Sequence, residues 1–235
     1  MPHANSDTTV VLVHAAWADG SSWNKVTEEL LRKGFNVVAA QIPLTSFTDD
    51  VAVLKKVLLR QKGPIVLAGH SYGGAVVTAA AAGNPNVKAL VYVAAIVPDE
   101  GETVGDVFGR VPPHPSAPKL QPDADGFLWL TVDAFRNAFA PDASPLETAL
   151  MTTTQKPISV KCLGEPMAKP AWREKPSWFL IAEKDRMVSP ETQRFTAERM
   201  KSNIVSLPVD HHPLASNPHA VADLIGAATA AAHLP

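Results

Sequence analysis

Short apolar runs rich in β-branched residues, separated by longer stretches with helical periodicity, leave this chain few folds. The runs fall at residues 9–13, 36–40, 65–68, 89–95, 178–182 and 204–207. They are apolar throughout rather than alternating, the pattern of strands covered on both faces. Helical spacing fills residues 23–33, 50–61, 72–82, 191–201 and 219–233. Ser189, Pro190 and Glu191 make a strong helix start. They supply a capping hydroxyl, a ring that presets φ, and a carboxylate near the positive end of the helix dipole. Strand followed by helix, repeated, predicts an α/β fold: a mostly parallel sheet flanked by helices.

The rhythm stops between residues 98 and 176. Prolines crowd in at Pro112, Pro113, Pro115, Pro118 and Pro122, and short helical pieces follow at 132–139 and 145–153. A structureless loop of that length does not suit a compact domain, so the segment is expected to form a cap, or lid, of short helices. Phe127, Trp129, Phe135, Phe139 and Leu146 argue against a disordered linker, which would be poor in large apolar side chains. The domain reading is therefore a core of residues 1–97 and 177–235 with a cap inserted at 98–176.

Composition narrows the function classes. Lys and Arg number 21 against 23 Asp and Glu, with no long run of either sign, so nucleic acid and anionic membranes are not expected partners. Cys162 is the single cysteine, which excludes an internal disulfide framework and a cysteine-rich zinc site. No basic start followed by an apolar stretch is visible, and no run reaches the ~18 apolar residues of a membrane span. The reading is a cytoplasmic protein, monomer or homodimer, acting on a small molecule.

Chemistry concentrates at Gly69-His70-Ser71-Tyr72-Gly73-Gly74, a Gly-x-Ser-x-Gly pattern between an apolar strand and a small-residue helix. This is the context of a nucleophile elbow, where a serine sits on a strained turn and glycines let strand and helix approach. A Gly-rich phosphate-binding turn is the rival reading. A serine hydroxyl is weakly nucleophilic and needs a histidine base oriented by a carboxylate. Elbow enzymes supply these in the chain order Ser, acid, His. Asp185 follows the strand at 178–182 and His211 follows the strand at 204–207, so all three would meet at the carboxyl ends of parallel strands. Asp99 and Glu183 rival Asp185, and His212 rivals His211. Asp210 reads as a loop hydrogen-bond partner and His70 as a support of the elbow. His3, His114, His219 and His233 read as surface residues. The oxyanion would be held by the backbone amides of Tyr72 and Ala16, the latter in the loop after the first strand. No metal or cofactor is expected, because no His, Asp or Glu cluster has ligand spacing.

Taken in series, Val11-Leu12-Val13-His14-Ala15-Ala16-Trp17, the elbow, Asp185-Arg186-Met187 and Asp210-His211 resemble the α/β-hydrolase superfamily. Within it the chain is similar to the small esterase branch related to plant methylesterases and hydroxynitrile lyases. The resemblance covers nearly the whole chain, least of all the proline-rich insertion. It implies a Ser71, His211, Asp185 triad, an oxyanion hole from Ala16 and Tyr72, and a pocket between core and cap. Members usually carry His-Gly after the first strand; here Ala15 follows His14, and its Cβ would tilt that loop or narrow the pocket. Lyases of the branch place a lysine after the catalytic histidine, where this chain has His212.

Trp17, Ile96, Trp129 and Met187 are the candidates to line an apolar pocket, Trp129 from the cap. The expected function is cofactor-free hydrolysis of small to medium apolar carboxylic esters through an acyl-enzyme. The alternatives are a triad-based lyase without an acyl intermediate, and a non-catalytic ligand receptor on the same scaffold. Dehalogenase chemistry would need a carboxylate where Ser71 stands.

Overall fold

A computed structural model describes residues 7–232, so His3 and His233 lie outside the described residues. Six strands form one parallel sheet: β1 (Thr9–Val13), β2 (Asn36–Ala40), β3 (Ile65–His70), β4 (Val87–Val93), β7 (Ser177–Ala182) and β8 (Asn203–Leu207). Two more, β5 (Phe127–Leu128) and β6 (Ile158–Ser159), pair antiparallel outside it. The strand order β2-β1-β3-β4-β7-β8 leaves β1, β3, β4 and β7 inside, and they are almost wholly buried. The edges differ from the sequence expectation. β2 and β8 each pair on one side only, and Ile204 and Val205 stay exposed.

Pleating divides each inner strand between two apolar layers. Val11 and Val13 pack with α2 (Phe47–Leu59) and α3 (Gly73–Ala80), and Val10 and Leu12 pack with α1 (Asn24–Arg32) and the C-terminal helix. α2 starts where the Ser46 side chain accepts the amide of Asp49, with Asp49 and Asp50 in its first turn.

Between β4 and β7 lies the insertion. It carries α4 (Val104–Phe108), α5 (Val132–Ala134) leading into a π-helical turn at Phe135–Phe139, α6 (Pro145–Thr154) and α7 (Lys161–Gly164). Thr103 with Asp106, and Ser144 with Glu147, close reciprocal capping boxes at α4 and α6. Phe135, Phe139, Leu128, Ile158 and Cys162 are buried in the same apolar cluster as α2 and α3, which ties the insertion to the core. Polar links reinforce it: the Ser159 amide donates to Leu44 O at 2.9 Å, and the Asp142 amide to Asp210 Oδ2 at 3.0 Å.

After β7 come α8 (Pro190–Arg199), capped by Ser189 as the sequence predicts, then α9 (Pro213–Ser216) and α10 (Pro218–Ala232). No helix among the described residues is long and apolar enough to cross a membrane.

Candidate active site

β3 runs through Gly69 and His70 and stops at Ser71, whose φ is +51°. A non-glycine residue there costs on the order of 1–3 kcal/mol, so its surroundings must hold it. They do: the Ser71 amide donates to Val93 O at 3.0 Å, while its carbonyl accepts the amides of Gly74 at 2.9 Å and Ile96 at 3.1 Å. The glycines have a steric reason. A Cβ on Gly69 would lie 2.5 Å from Gly73 O, and one on Gly73 would lie 2.7 Å from the carbonyl oxygens of Val13 and His14.

The chain returns to this point twice. After β7, Asp185 is buried, and its Oδ1 accepts the amides of Met187 at 2.7 Å and Val188 at 2.9 Å. After β8, His211 is buried with Nδ1 2.7 Å from Asp185 Oδ2. Bonding through Nδ1 leaves Nε2 on the far edge of the ring, and His211 lines one cavity with Ser71. No hydrogen bond joins the Ser71 hydroxyl to His211 in this conformation.

Around His211 the support is aromatic and histidine-rich. His70 Nε2 donates to the His211 carbonyl at 2.7 Å, and the Phe139 ring stands 5.2 Å from the His211 ring, edge to face. Burial first, and the neighbouring His211 next, hold His70 well below the usual imidazole range and His212 at about 3. Both are therefore neutral rings.

The loop after β1 supplies the other wall. The backbone at Ala15 is not left-handed, so its Cβ is accommodated; the strained residue is Trp17, at φ +58°. Trp17 Nε1 donates to Leu128 O at 2.9 Å, which ties the loop to β5 of the insertion. Burial lowers His14 to about 4. Its Nδ1 donates to Ala15 O at 2.9 Å and its Nε2 accepts the Ile42 amide at 3.2 Å, so the loop is pinned by a neutral ring. Neither the Ala16 nor the Tyr72 amide donates to a protein acceptor, and both residues line the cavity.

The cavity walls are mostly carbon. Trp17, Ile96 and Met187 stand in them, with Val104, Phe108, Leu120 and Leu163 contributed by the insertion. Trp129 does not. β5 turns Leu128 inward and Trp129 outward, where its Nε1 donates to Asp123 Oδ2 at 2.9 Å and half the side chain is exposed.

The rivals are engaged elsewhere. Asp99 pairs with Arg173 at 2.6 Å, and Glu183 bonds Arg194 and the Ser206 hydroxyl. Asp210 accepts the amides of Asp142 and His212 and the Ser216 hydroxyl, a loop-bracing role. His212 lines a separate cleft with Phe135 and Met151. Among the described residues no group of three or more His, Cys, Asp or Glu is placed to hold a metal ion.

Two contacts escaped the sequence reading. The Tyr72 hydroxyl donates to the buried Asp50 at 2.6 Å, and Gln193 of α8 reaches Asp185. Helical spacing from the Ser189 cap puts Gln193 on the inner face, which was the one available signal.

The alpha/beta hydrolase family model matches residues 10–224. The chain belongs to the alpha/beta hydrolase family. This hydrolase is 24% identical over 237 residues to a probable hydrolase R7 from Phoma sp., covering 92% of this chain and 96% of that one. In three dimensions it is similar to a pyrethroid hydrolase from Sphingobium faniae JZ-2, with a TM-score of 0.81 and 23% identity over 95% of this chain and 98% of the other. A methylesterase from Arabidopsis superposes with a TM-score of 0.77 at 19% identity, covering 95% and 99%.

Proposed function

We propose that this hydrolase cleaves small to medium apolar carboxylic esters through an acyl-enzyme on Ser71. The reading rests on the strained Ser71 in one cavity with His211, whose Nδ1 is held by Asp185 Oδ2 at 2.7 Å. Ser71 Oγ attacks the ester carbonyl carbon as His211 Nε2 takes its proton. The developing oxyanion accepts from the Ala16 and Tyr72 amides, which are free of other partners. As the C–O bond breaks, His211 returns the proton to the departing alcohol. Water then attacks the acyl-enzyme with His211 as base, and the proton goes back to Ser71 Oγ. The Ser71–His211 hydrogen bond closes when substrate fills the cavity, a tightening common between apo and Michaelis states.

The scheme needs no cofactor. Asp185 orients His211 and stabilises the imidazolium without taking the proton. Residues 98–176 act as the cap, placing apolar side chains over the acyl or alcohol group, while the core at 1–97 and 177–235 carries the chemistry. An apolar ester agrees with that lining and with relatives named for pyrethroid and methyl esters.

A panel of p-nitrophenyl esters of increasing acyl length tests the reading. The short members are expected to turn over, and Ser71→Ala is expected to lose at least about 10³-fold in kcat while keeping its melting temperature. Turnover by Ser71→Ala close to that of the natural chain would overturn it.

A further inference from the structure

We propose that Gln193 is a positioning residue of the site, setting both the direction and the charge that the Asp185 carboxylate presents to His211; this rests on the triad reading above. Gln193 is fully buried in the first turns of α8. Its Oε1 accepts the Ala182 amide at 3.0 Å, and its Nε2 donates to Val188 O at 2.8 Å and to Asp185 Oδ2 at 2.7 Å. The backbone partners fix which end of the side-chain amide is which. An amide N–H at Ala182 needs an acceptor and a carbonyl at Val188 needs a donor, so the remaining N–H must face the carboxylate. All three bonds lie within one side chain, which clamps the end of β7, the acid and the residue leading into α8.

The consequence is specific to one oxygen. Asp185 Oδ1 is held by the Met187 and Val188 amides, whereas Oδ2 is shared between Gln193 Nε2 and His211 Nδ1. A second donor on Oδ2 draws off negative charge that would otherwise stabilise the His211 imidazolium. It also stops the carboxylate swinging away from the ring. Of the groups facing His211, Asp185 is the carboxylate bonded to its ring. His70 from β3 and His212 of its own loop are neutral rings, Phe139 from the insertion is uncharged, and the Asp210 carboxylate is turned to the Asp142 and His212 amides.

Gln193→Met keeps the volume and removes all three polar contacts; Gln193→Glu keeps an acceptor for Ala182 and removes the donors. Gln193 does not line the cavity, so both variants are expected to keep KM within about twofold, and kcat is expected to fall about tenfold, the scale of one hydrogen bond to a charged group. In Gln193→Met the acid limb of kcat/KM moves to higher pH by about half a unit, because the undiluted carboxylate holds the imidazolium better. A purely structural role would lower activity equally at every pH. The second readout is the His211 Nδ1 proton resonance in Ser71→Ala protein, with and without Gln193→Met, which needs neither turnover nor substrate. A changed resonance together with the moved limb is expected. An unmoved limb and an unchanged resonance in folded variants would overturn the proposal, whereas turnover by Ser71→Ala close to that of the natural chain would overturn the triad reading.

Discussion

Burial keeps His14, His70 and His212 uncharged, and that sets how the fold around Ser71 responds to acid. His14 is lowered to about 4 and His212 to about 3, in each case first by desolvation, while a free imidazole sits at 6.5. The unfolded chain therefore binds protons below 6.5 that the folded chain refuses until about 4 and about 3. Stability from these rings is fully present above the unfolded value and is lost as pH falls through that window. Asp50 and Asp210, raised by burial, work in the opposite sense, because their folded forms hold protons the unfolded chain releases. Three lowered histidines, His70 included, outnumber two raised carboxylates, so the melting temperature is expected to drop as pH goes from 7 to 4.5. Calorimetry across that range, with His212→Phe, checks this: the variant's melting temperature should depend less steeply on pH. An identical slope would remove His212 from the account.

At the scale of elements, Asp50 joins three of them. It sits in α2, accepts the Leu44 amide and the Tyr72 hydroxyl at 2.6 Å each, and lies 3.6 Å from Cys162 Sγ on α7. Burial pushes the Cys162 thiol up to about 12, so it stays protonated and able to donate. Asp50→Ala would leave a buried hydroxyl and amide without acceptors, at about 1–3 kcal/mol each. Chemical denaturation is expected to show a lower midpoint with an unchanged slope, and activity should fall too if, as proposed, the Tyr72 amide holds the oxyanion. The inner strands were legible because runs such as 9–13 and 65–68 are apolar almost throughout. The same pattern in 36–40 and 204–207 reads as buried, although position at the sheet edge is not written in local periodicity. Trp129 was misplaced for a related reason: β5 is two residues long, too short for alternation to reveal which side faces in. Gln193 was missed because its partner Asp185 lies eight positions away across a turn, a contact no fixed spacing announces.

For the whole molecule, the site is a product of convergence. Three loops at the carboxyl ends of β3, β7 and β8 bring Ser71, Asp185 and His211 together, and a fourth after β1 brings the unpartnered Ala16 amide to the cavity that Tyr72 also lines. The Trp17–Leu128 hydrogen bond ties the β1 loop to the segment between β4 and β7. Chain order made this legible, since strand ends are where open parallel sheets gather ligands. The shape of the cavity was not, because it depends on Val104, Phe108 and Leu163 packing from a segment without strong periodicity. The most direct test is mass spectrometry after exposure to an alkyl fluorophosphonate, which mimics the tetrahedral intermediate. A single phosphonyl adduct on the peptide bearing Ser71, slowed strongly in His211→Ala and missing in Ser71→Ala, is the expected result. A protein that hydrolyses esters yet takes the label on another residue, or takes none, would contradict it.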